Sequence, residues 1–77
     1  MTIKEHDCVV LTADLPNEGL KAGDVGTVVH IHGGGVAYEV EFMALAGKTI
    51  AIAIVEASDV RPVSERDLSH VRELQSA

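Results

Sequence analysis

The chain has 77 residues, 47% of them hydrophobic, which fits one small folded domain and excludes a multidomain enzyme or a disordered segment. A domain of this length buries only about 60 to 65% of its unfolded surface, so we expect no deep, enclosed substrate pocket. Twelve acidic against six basic residues give a formal net charge of −6, which disfavours nucleic-acid binding, since that binding relies on clustered Lys and Arg.

Short runs rich in Val and Ile predict β-strands, because β-branched residues are enriched in strands. Four such runs and a shorter fifth one are Cys8 to Thr12, Val25 to His32, Val36 to Met43, Thr49 to Val55 and Asp59 to Val63. Segments that contain glycine separate most of them. Five short strands within residues 1–63 predict a mainly β fold, a small antiparallel barrel.

Residues 13–24, between the first two runs, show no periodicity and contain Pro16 and Gly19. They predict a long ordered loop anchored by Leu15 and Leu20. Two interpretations stay open for this loop: a functional segment, or a structural excursion that closes one end of the barrel.

Alternation of apolar and polar residues predicts which strand faces are buried. The expected inward residues are Val25, Thr27, Val29 and Ile31 in the second run and Val36, Tyr38, Val40 and Phe42 in the third. The same rule sends Val28, His30 and His32 outward. Since a slip of one residue would turn every side chain to the other face, we expect Ile31 to pair with Val36 across a turn of three glycines, unless a bulge alters the register.

The fourth run is apolar on both faces and therefore needs cover on both sides. Its two faces are Ile50, Ile52 and Ile54 on one side and Ala51, Ala53 and Val55 on the other. After Pro62 the pattern changes, and Ser64 in an N-cap position predicts a short α-helix from about Glu65 to Gln75. We expect residues 64–77, with the apolar stripe Leu68, Val71 and Leu74, to pack on the alanine face in this chain or on a second subunit.

Several segments resemble known small barrels. The string Gly23-Asp-Val-Gly-Thr-Val-Val-His-Ile31 resembles the G-x-x-G-x-V-x-x-I core of SH3-like and KOW-type barrels. The other matching segments are Lys4 to Thr12, Asp14-Leu-Pro, Gly19-Leu, Ala37 to Phe42, Val55-Glu-Ala and Val60-Arg-Pro-Val63. Together they look like domain of unknown function family 4926, a group of short bacterial proteins. This resemblance implies a five-stranded SH3-like barrel and implies no catalytic residues; Cys8 and the triple glycine depart from the family pattern.

The candidate metal ligands are His30 and His32, because residues two apart on a strand project from one face and two imidazoles can share a Zn, Ni or Cu ion. Completing such a site would require further ligands. The candidates are His6, Cys8, Glu39 and Glu41. The alternative interpretation is a pair of solvated histidines near a loop.

No catalytic unit is predicted. His6 lies two residues from Cys8, where a shared strand face would put a base beside a thiol, but so small a barrel offers no oxyanion hole or orienting group. The carboxylate pairs Glu39 with Glu41 and Asp14 with Glu18 fit solvated surface charge. We therefore expect neither enzyme activity nor a cofactor.

The single cysteine excludes an internal disulfide and favours a cytoplasmic location. The first residues contain no apolar export signal, and the longest apolar run, Ile50 to Val55, is too short to span a membrane.

These observations predict a non-enzymatic bacterial accessory or protein–protein interaction module. Its acidic surface would neutralise or regulate a partner protein, such as a nuclease-type toxin with a basic groove. Two alternatives remain: a KOW-like nucleic-acid-binding module that uses the Gly23 to Ile31 hairpin, and a metal-binding module that uses His6, His30 and His32. A monomer and a symmetric homodimer are both open.

Overall fold

The computed structural model describes residues 2–74 and contains one five-stranded antiparallel sheet. The strands are β1 (Cys8–Leu11), β2 (Val25–His32), β3 (Ala37–Met43), β4 (Thr49–Glu56) and β5 (Val60–Pro62). Their order is β4-β3-β2-β1-β5, which makes β4 and β5 the edges of an unclosed sheet. Two short 3-10 turns, Pro16–Glu18 and Ala57–Asp59, precede β2 and β5. The prediction of a mainly β fold with five antiparallel strands is confirmed.

All five strands contribute side chains to a single apolar core. Its buried members are Val9, Leu11, Leu20, Val28, Tyr38, Val40, Phe42, Ala53, Val55 and Val60. The predicted inward face of β3 is confirmed for Tyr38, Val40 and Phe42. Val36 is 68% exposed, because it lies before β3, where its backbone N–H donates to the carbonyl oxygen of His32 in the glycine turn.

A β-bulge in β2 changes the predicted register. Val28 pairs with Val40, but His30 pairs with Glu39, so Val29 has no partner on β3. The extra residue interrupts the alternation and brings Val28 into the core, while Val25 and Val29 are exposed and Thr27 lies on the other side of the strand. The predicted inward positions of Val25, Thr27 and Val29, and the outward position of Val28, were therefore wrong.

Beyond the bulge, Ile31 does pack against the core, as predicted, but it pairs with Tyr38 rather than with Val36.

The two faces of β4 have different surroundings. Ala53 and Val55 are buried in the sheet's own core, so the alanine face is covered without a helix. Ile52 and Ile54 are 54% and 67% exposed on the outer face, which is the face opposite the core. Both isoleucines therefore stay largely exposed on this face.

The C-terminal segment, residues 63–74, contains a turn and otherwise irregular backbone, with no α-helix. The carboxylate of Asp67 accepts hydrogen bonds from the Ser64 N–H at 2.6 Å and from the Arg61 guanidinium at 2.7 and 2.9 Å. These bonds hold Ser64 and Asp67 in a closed turn, and a short helix with a narrow apolar stripe is marginal on its own. The predicted helix from about Glu65 is thus not formed as far as Leu74; Gln75 lies outside the described residues.

The apolar stripe predicted for that helix is largely solvent-exposed. Leu68 is 91% exposed and Val71 is 75% exposed, so the stripe does not bury itself on the alanine face of the same chain. Across residues 2–74, no helix has the length and apolar character needed to cross a membrane.

Candidate functional site

A groove of about 380 Å³ lies between the sheet and the C-terminal segment. Its lining is mainly apolar and includes Leu20, Val25, Phe42, Met43, Leu45, Ile50, Val71 and Leu74. Two of these hydrophobic side chains are mostly exposed, Leu45 at 86% and Val71 at 75%, and Val25, Met43 and Leu74 are 48%, 48% and 44% exposed. Contiguous exposed apolar surface of this kind is typical of sites that bind another molecule.

The β3–β4 hairpin forms one wall of the groove. The Ala44 N–H donates to the carbonyl oxygen of Lys48, and Gly47 closes the turn with a φ of 100°, a conformation that favours glycine. This tight turn leaves Leu45 projecting into solvent, while Phe42 at the end of β3 is buried and forms the floor. The hairpin therefore presents an apolar tip above an apolar floor.

The C-terminal segment forms the other wall, and polar contacts to Asp24 hold it in place. Arg72 donates from Nε to Asp24 Oδ1 at 2.9 Å and from Nη2 to Asp24 Oδ2 at 2.5 Å. Arg72 Nη2 also donates to the carbonyl oxygen of Gly19 at 3.1 Å, and His70 Nε2 lies 3.2 Å from Asp24 Oδ1. The wall is thus attached by two polar side chains, and its apolar side chains remain free to contact a molecule in the groove.

Burial has the largest single effect on the pKa of Asp24 and raises it, but the hydrogen bonds from Arg72, the Lys21 N–H and His70 together outweigh it. Together they lower the pKa of this carboxyl from 3.8 to about 2. The same ion pair raises the pKa of Arg72. Asp24 is therefore ionised at neutral pH and fully engaged as an anchor, which leaves it poorly suited to act as a base.

The predicted anchoring of the 13–24 loop is confirmed. Leu15 and Leu20 form an isolated antiparallel bridge, and Leu20 is buried in the core. Asp14 Oδ1 accepts a hydrogen bond from the Ala22 N–H at 2.8 Å. Since Asp24 ends this loop and holds the C-terminal segment, the loop positions one side of the groove.

The candidate metal ligands His30 and His32 lie next to each other on the sheet. Their ring centroids are 4.5 Å apart in an edge-to-face arrangement. His32 Nε2 lies 3.2 Å from Glu39 Oε1, and His30 Nδ1 lies 3.9 Å from Glu5 Oε2. Within residues 2–74, no group of three or more His, Cys, Asp or Glu side chains is placed to hold a metal ion. The metal hypothesis remains a prediction that a titration can test.

Two further candidates differ from expectation. His6 adopts a φ of 73° before β1 begins at Cys8, so the strand alternation that predicted a shared face for these residues does not apply. The His6 backbone N–H donates to the carbonyl oxygen of Val28 at 2.7 Å, while Cys8 is exposed and pairs with Thr27.

The carboxylates of β3 make local contacts on the outer face. Glu39 approaches His32, and Glu41 Oε2 accepts a hydrogen bond from the Thr49 hydroxyl at 2.6 Å. These contacts link β3 to its two neighbouring strands.

The residues that build the groove, above all Asp24, His70 and Arg72, were not predicted from the sequence. Val25 and Leu45 carried a usable signal, because each is an apolar residue in or beside a glycine-containing segment between predicted strands. The charged residues of the C-terminal segment carried none, since their contacts depend on where an irregular segment returns to the sheet.

Comparison with known proteins gives one match. The model of the family Domain of unknown function (DUF4926) matches residues 5–62. Neither the search of curated proteins nor the search of solved structures found a match. The matched residues include all five strands, and the C-terminal wall of the groove lies beyond them. The chain therefore belongs to the DUF4926 family.

Proposed function

We propose that this chain is a non-enzymatic protein–protein interaction module whose groove receives apolar side chains of a partner protein. The observation that carries the proposal is the groove itself, with an apolar floor at Phe42 and exposed hydrophobic walls at Leu45 and Val71. Hydrophobic side chains that stay exposed on a small domain stabilise a complex when a partner removes them from water.

The net charge of the chain indicates the charge of the expected partner. With a net charge of −6, the surface attracts a basic protein and repels nucleic acid. Two of the six basic residues, Arg61 and Arg72, are already paired with Asp67 and Asp24. We propose an accessory role in which the domain neutralises or regulates a partner that presents apolar side chains flanked by Lys or Arg.

The same proposal includes an SH3-like architecture and a cytoplasmic location. The strand order β5-β1-β2-β3-β4, with the 3-10 turn Ala57–Asp59 before the last strand, supports the SH3-like description. The single cysteine, which is exposed, supports a reducing compartment. An interaction surface on a small sheet of this kind needs no enclosed cavity.

Affinity capture from native lysate with a groove variant tests the proposal. Leu45→Glu places a charge at the rim of the groove, and Val36→Glu is its matched control, because Val36 is also exposed and lies in the glycine turn before β3. We expect the parent and Val36→Glu to retain the same protein and Leu45→Glu to lose it. Equal retention by all three would contradict the assignment of the groove.

Chromatography on a nucleic-acid column distinguishes the proposed interaction module from the main alternative, a nucleic-acid-binding module. The acidic interaction module predicts no salt-dependent retention of the purified protein on RNA or DNA. Retention with a steep decrease as salt rises would favour the KOW-like nucleic-acid-binding module instead.

A further inference from the structure

The two edges of the sheet differ in how well they are protected against pairing with another strand. β5 has three residues, among them Arg61 and Pro62, and proline has no N–H to offer a neighbouring strand. β4 has eight residues, Thr49–Glu56, and contains neither proline nor any charge before Glu56. A bulge at Ile50, between the register pairs Phe42–Ala51 and Met43–Thr49, interrupts the start of β4, but residues 51–55 carry no such protection and their exposed edge requires an explanation.

The backbone of β4 directs hydrogen-bonding groups to this edge. The Ala57 N–H donates to the carbonyl oxygen of Val36 at 3.1 Å, next to the register pair Ala37 and Glu56. Because bonded and non-bonded pairs alternate in an antiparallel ladder, Ala53 and Val55 bond to β3. The N–H and C=O groups of Ile52, Ile54 and Glu56 therefore point away from β3, towards the open edge.

Apolar side chains accompany these backbone groups, which make no hydrogen bond within residues 2–74. Ile52 and Ile54 lie on the outer face of β4 and are 54% and 67% exposed. A strand added at this edge would satisfy the backbone groups and shield both isoleucines from water at once.

We propose that β4 pairs antiparallel with β4 of a second copy of this chain, which joins two sheets into one continuous sheet. The charges that flank the strand support this occupant: Lys48 precedes its first residue and Glu56 is its last. Antiparallel pairing of the strand with itself brings the Lys48 end of each copy beside the Glu56 end of the other. The apolar middle of one copy then faces that of the other.

The mass of the purified protein in solution, measured by light scattering across a dilution series, tests the dimer. We expect twice the 8.1 kDa of one chain for the parent and a monomer for Ile54→Pro. Proline at this position removes an outward N–H and leaves the ladder with β3 intact. Ile54→Val is the matched control, because it keeps the N–H and a branched apolar side chain, and it should remain a dimer.

A charge exchange tests the same pairing without proline. Lys48→Glu and Glu56→Lys should each weaken the dimer about fivefold or more, because like charges then meet at both ends. The double variant Lys48→Glu/Glu56→Lys should restore it, and circular dichroism should show a folded sheet in every variant.

A monomeric parent at all concentrations would overturn the proposal, as would a dimer that Ile54→Pro leaves intact or a double exchange that fails to restore association. If a foreign strand binds β4 while the parent stays monomeric, the edge pairs with a partner and the self-pairing is wrong. The measurement uses purified protein alone, so its outcome does not depend on the proposed function of the groove.

Discussion

Arg72 and Asp24 form a two-pronged ion pair between residues that are 48 positions apart, with Nε and Nη2 of the guanidinium each donating to one carboxylate oxygen. Asp24 immediately precedes β2, whose residues reach the centre of the sheet. One carboxylate therefore fixes the position of the C-terminal segment relative to the core. The groove exists in its described shape because this contact holds.

Replacement of Asp24 by Asn should release the C-terminal segment. The variant keeps a similar shape but removes the charge that pairs with Arg72, and we expect a loss of about 1 kcal/mol in the free energy of unfolding. The heteronuclear NOE of the Val71 and Leu74 amides should decrease, because the released segment moves more freely, while the values in β3 stay unchanged. Urea unfolding and NMR relaxation check both effects.

Asp7→Asn is the control for this experiment. Asp7 Oδ2 also accepts a backbone hydrogen bond, from the Lys4 N–H at 2.9 Å, but makes no hydrogen bond or ion pair to the described C-terminal segment. It should therefore leave the heteronuclear NOE of Val71 unchanged. If the two variants behave alike, the ion pair does not hold the wall of the groove.

The stability that Asp24 contributes should depend on pH in the acid range. Its pKa is about 2 in the folded protein against 3.8 for the ordinary carboxyl, so the folded state favours the ionised form. This contribution is fully present above about pH 4 and is lost as the pH falls towards 2. The difference in unfolding free energy between the parent and Asp24→Asn should be constant near neutrality and shrink below pH 4.

The same measurement separates the titration of Asp24 from that of Asp67, which is also paired with an arginine. Hydrogen bonds from Arg61 and the Ser64 N–H hold the pKa of Asp67 well below its usual range, and both proteins retain this group. The protonation of Asp67 therefore changes both unfolding free energies equally, and it cancels when one is subtracted from the other. A difference that stays constant down to pH 2 would mean that the Asp24 carboxylate does not stabilise the fold through its charge.

Gly26 should not tolerate a side chain. A Cβ atom at this position would lie 2.5 Å from Val40 Cγ1 and 2.9 Å from the backbone oxygen of Glu41, so β3 would have to move. We expect Gly26→Ala to lower the free energy of unfolding by about 1–3 kcal/mol, as overpacking of a core does. Urea unfolding with the tyrosine signal of Tyr38 provides the measurement.

Gly34→Ala separates crowding from backbone strain. Gly34 has a φ of 72° and nothing within 4 Å of its added Cβ, so its substitution strains the backbone without a clash. Its cost should be about 1 kcal/mol. A Gly26→Ala variant as stable as the parent would show that the close contact between β2 and β3 relaxes without cost.

The buried faces of the strands could be predicted where apolar and polar residues alternate without a bulge. In β3 the alternation from Tyr38 to Phe42 identified the buried face directly. In β2 the unpaired Val29 shifted the pattern, and a bulge leaves no mark in a run that has Val at both 28 and 29. Because residues 28 and 29 are both valine, either one could occupy the buried position. Only the packing of β2 against β3 shows that it is Val28.

The candidate site was less predictable than the sheet, because its walls meet through contacts distant in sequence. The segment after β5 carried a helix signal at Ser64, but the carboxylate of Asp67 accepts hydrogen bonds from Arg61 and from the Ser64 N–H and closes a turn instead. Competition between a local cap and an ion pair to a neighbouring strand cannot be settled from spacing alone. The anchoring of Arg72 at Asp24 has no periodic signature at all.

Zinc or nickel titration of the parent and of His30→Ala/His32→Ala tests the metal hypothesis. The rings lie 4.5 Å apart, with Glu39 beside His32, so an ion bound there would use the two imidazoles and would be held weakly without a third ligand already in place. The hypothesis expects calorimetric binding by the parent and its loss in the double variant. His70→Ala removes an imidazole from the C-terminal segment and should bind as the parent does. Equal affinity in the parent and the double variant would show that His30 and His32 are solvated residues of the sheet surface, paired with carboxylates and without a metal.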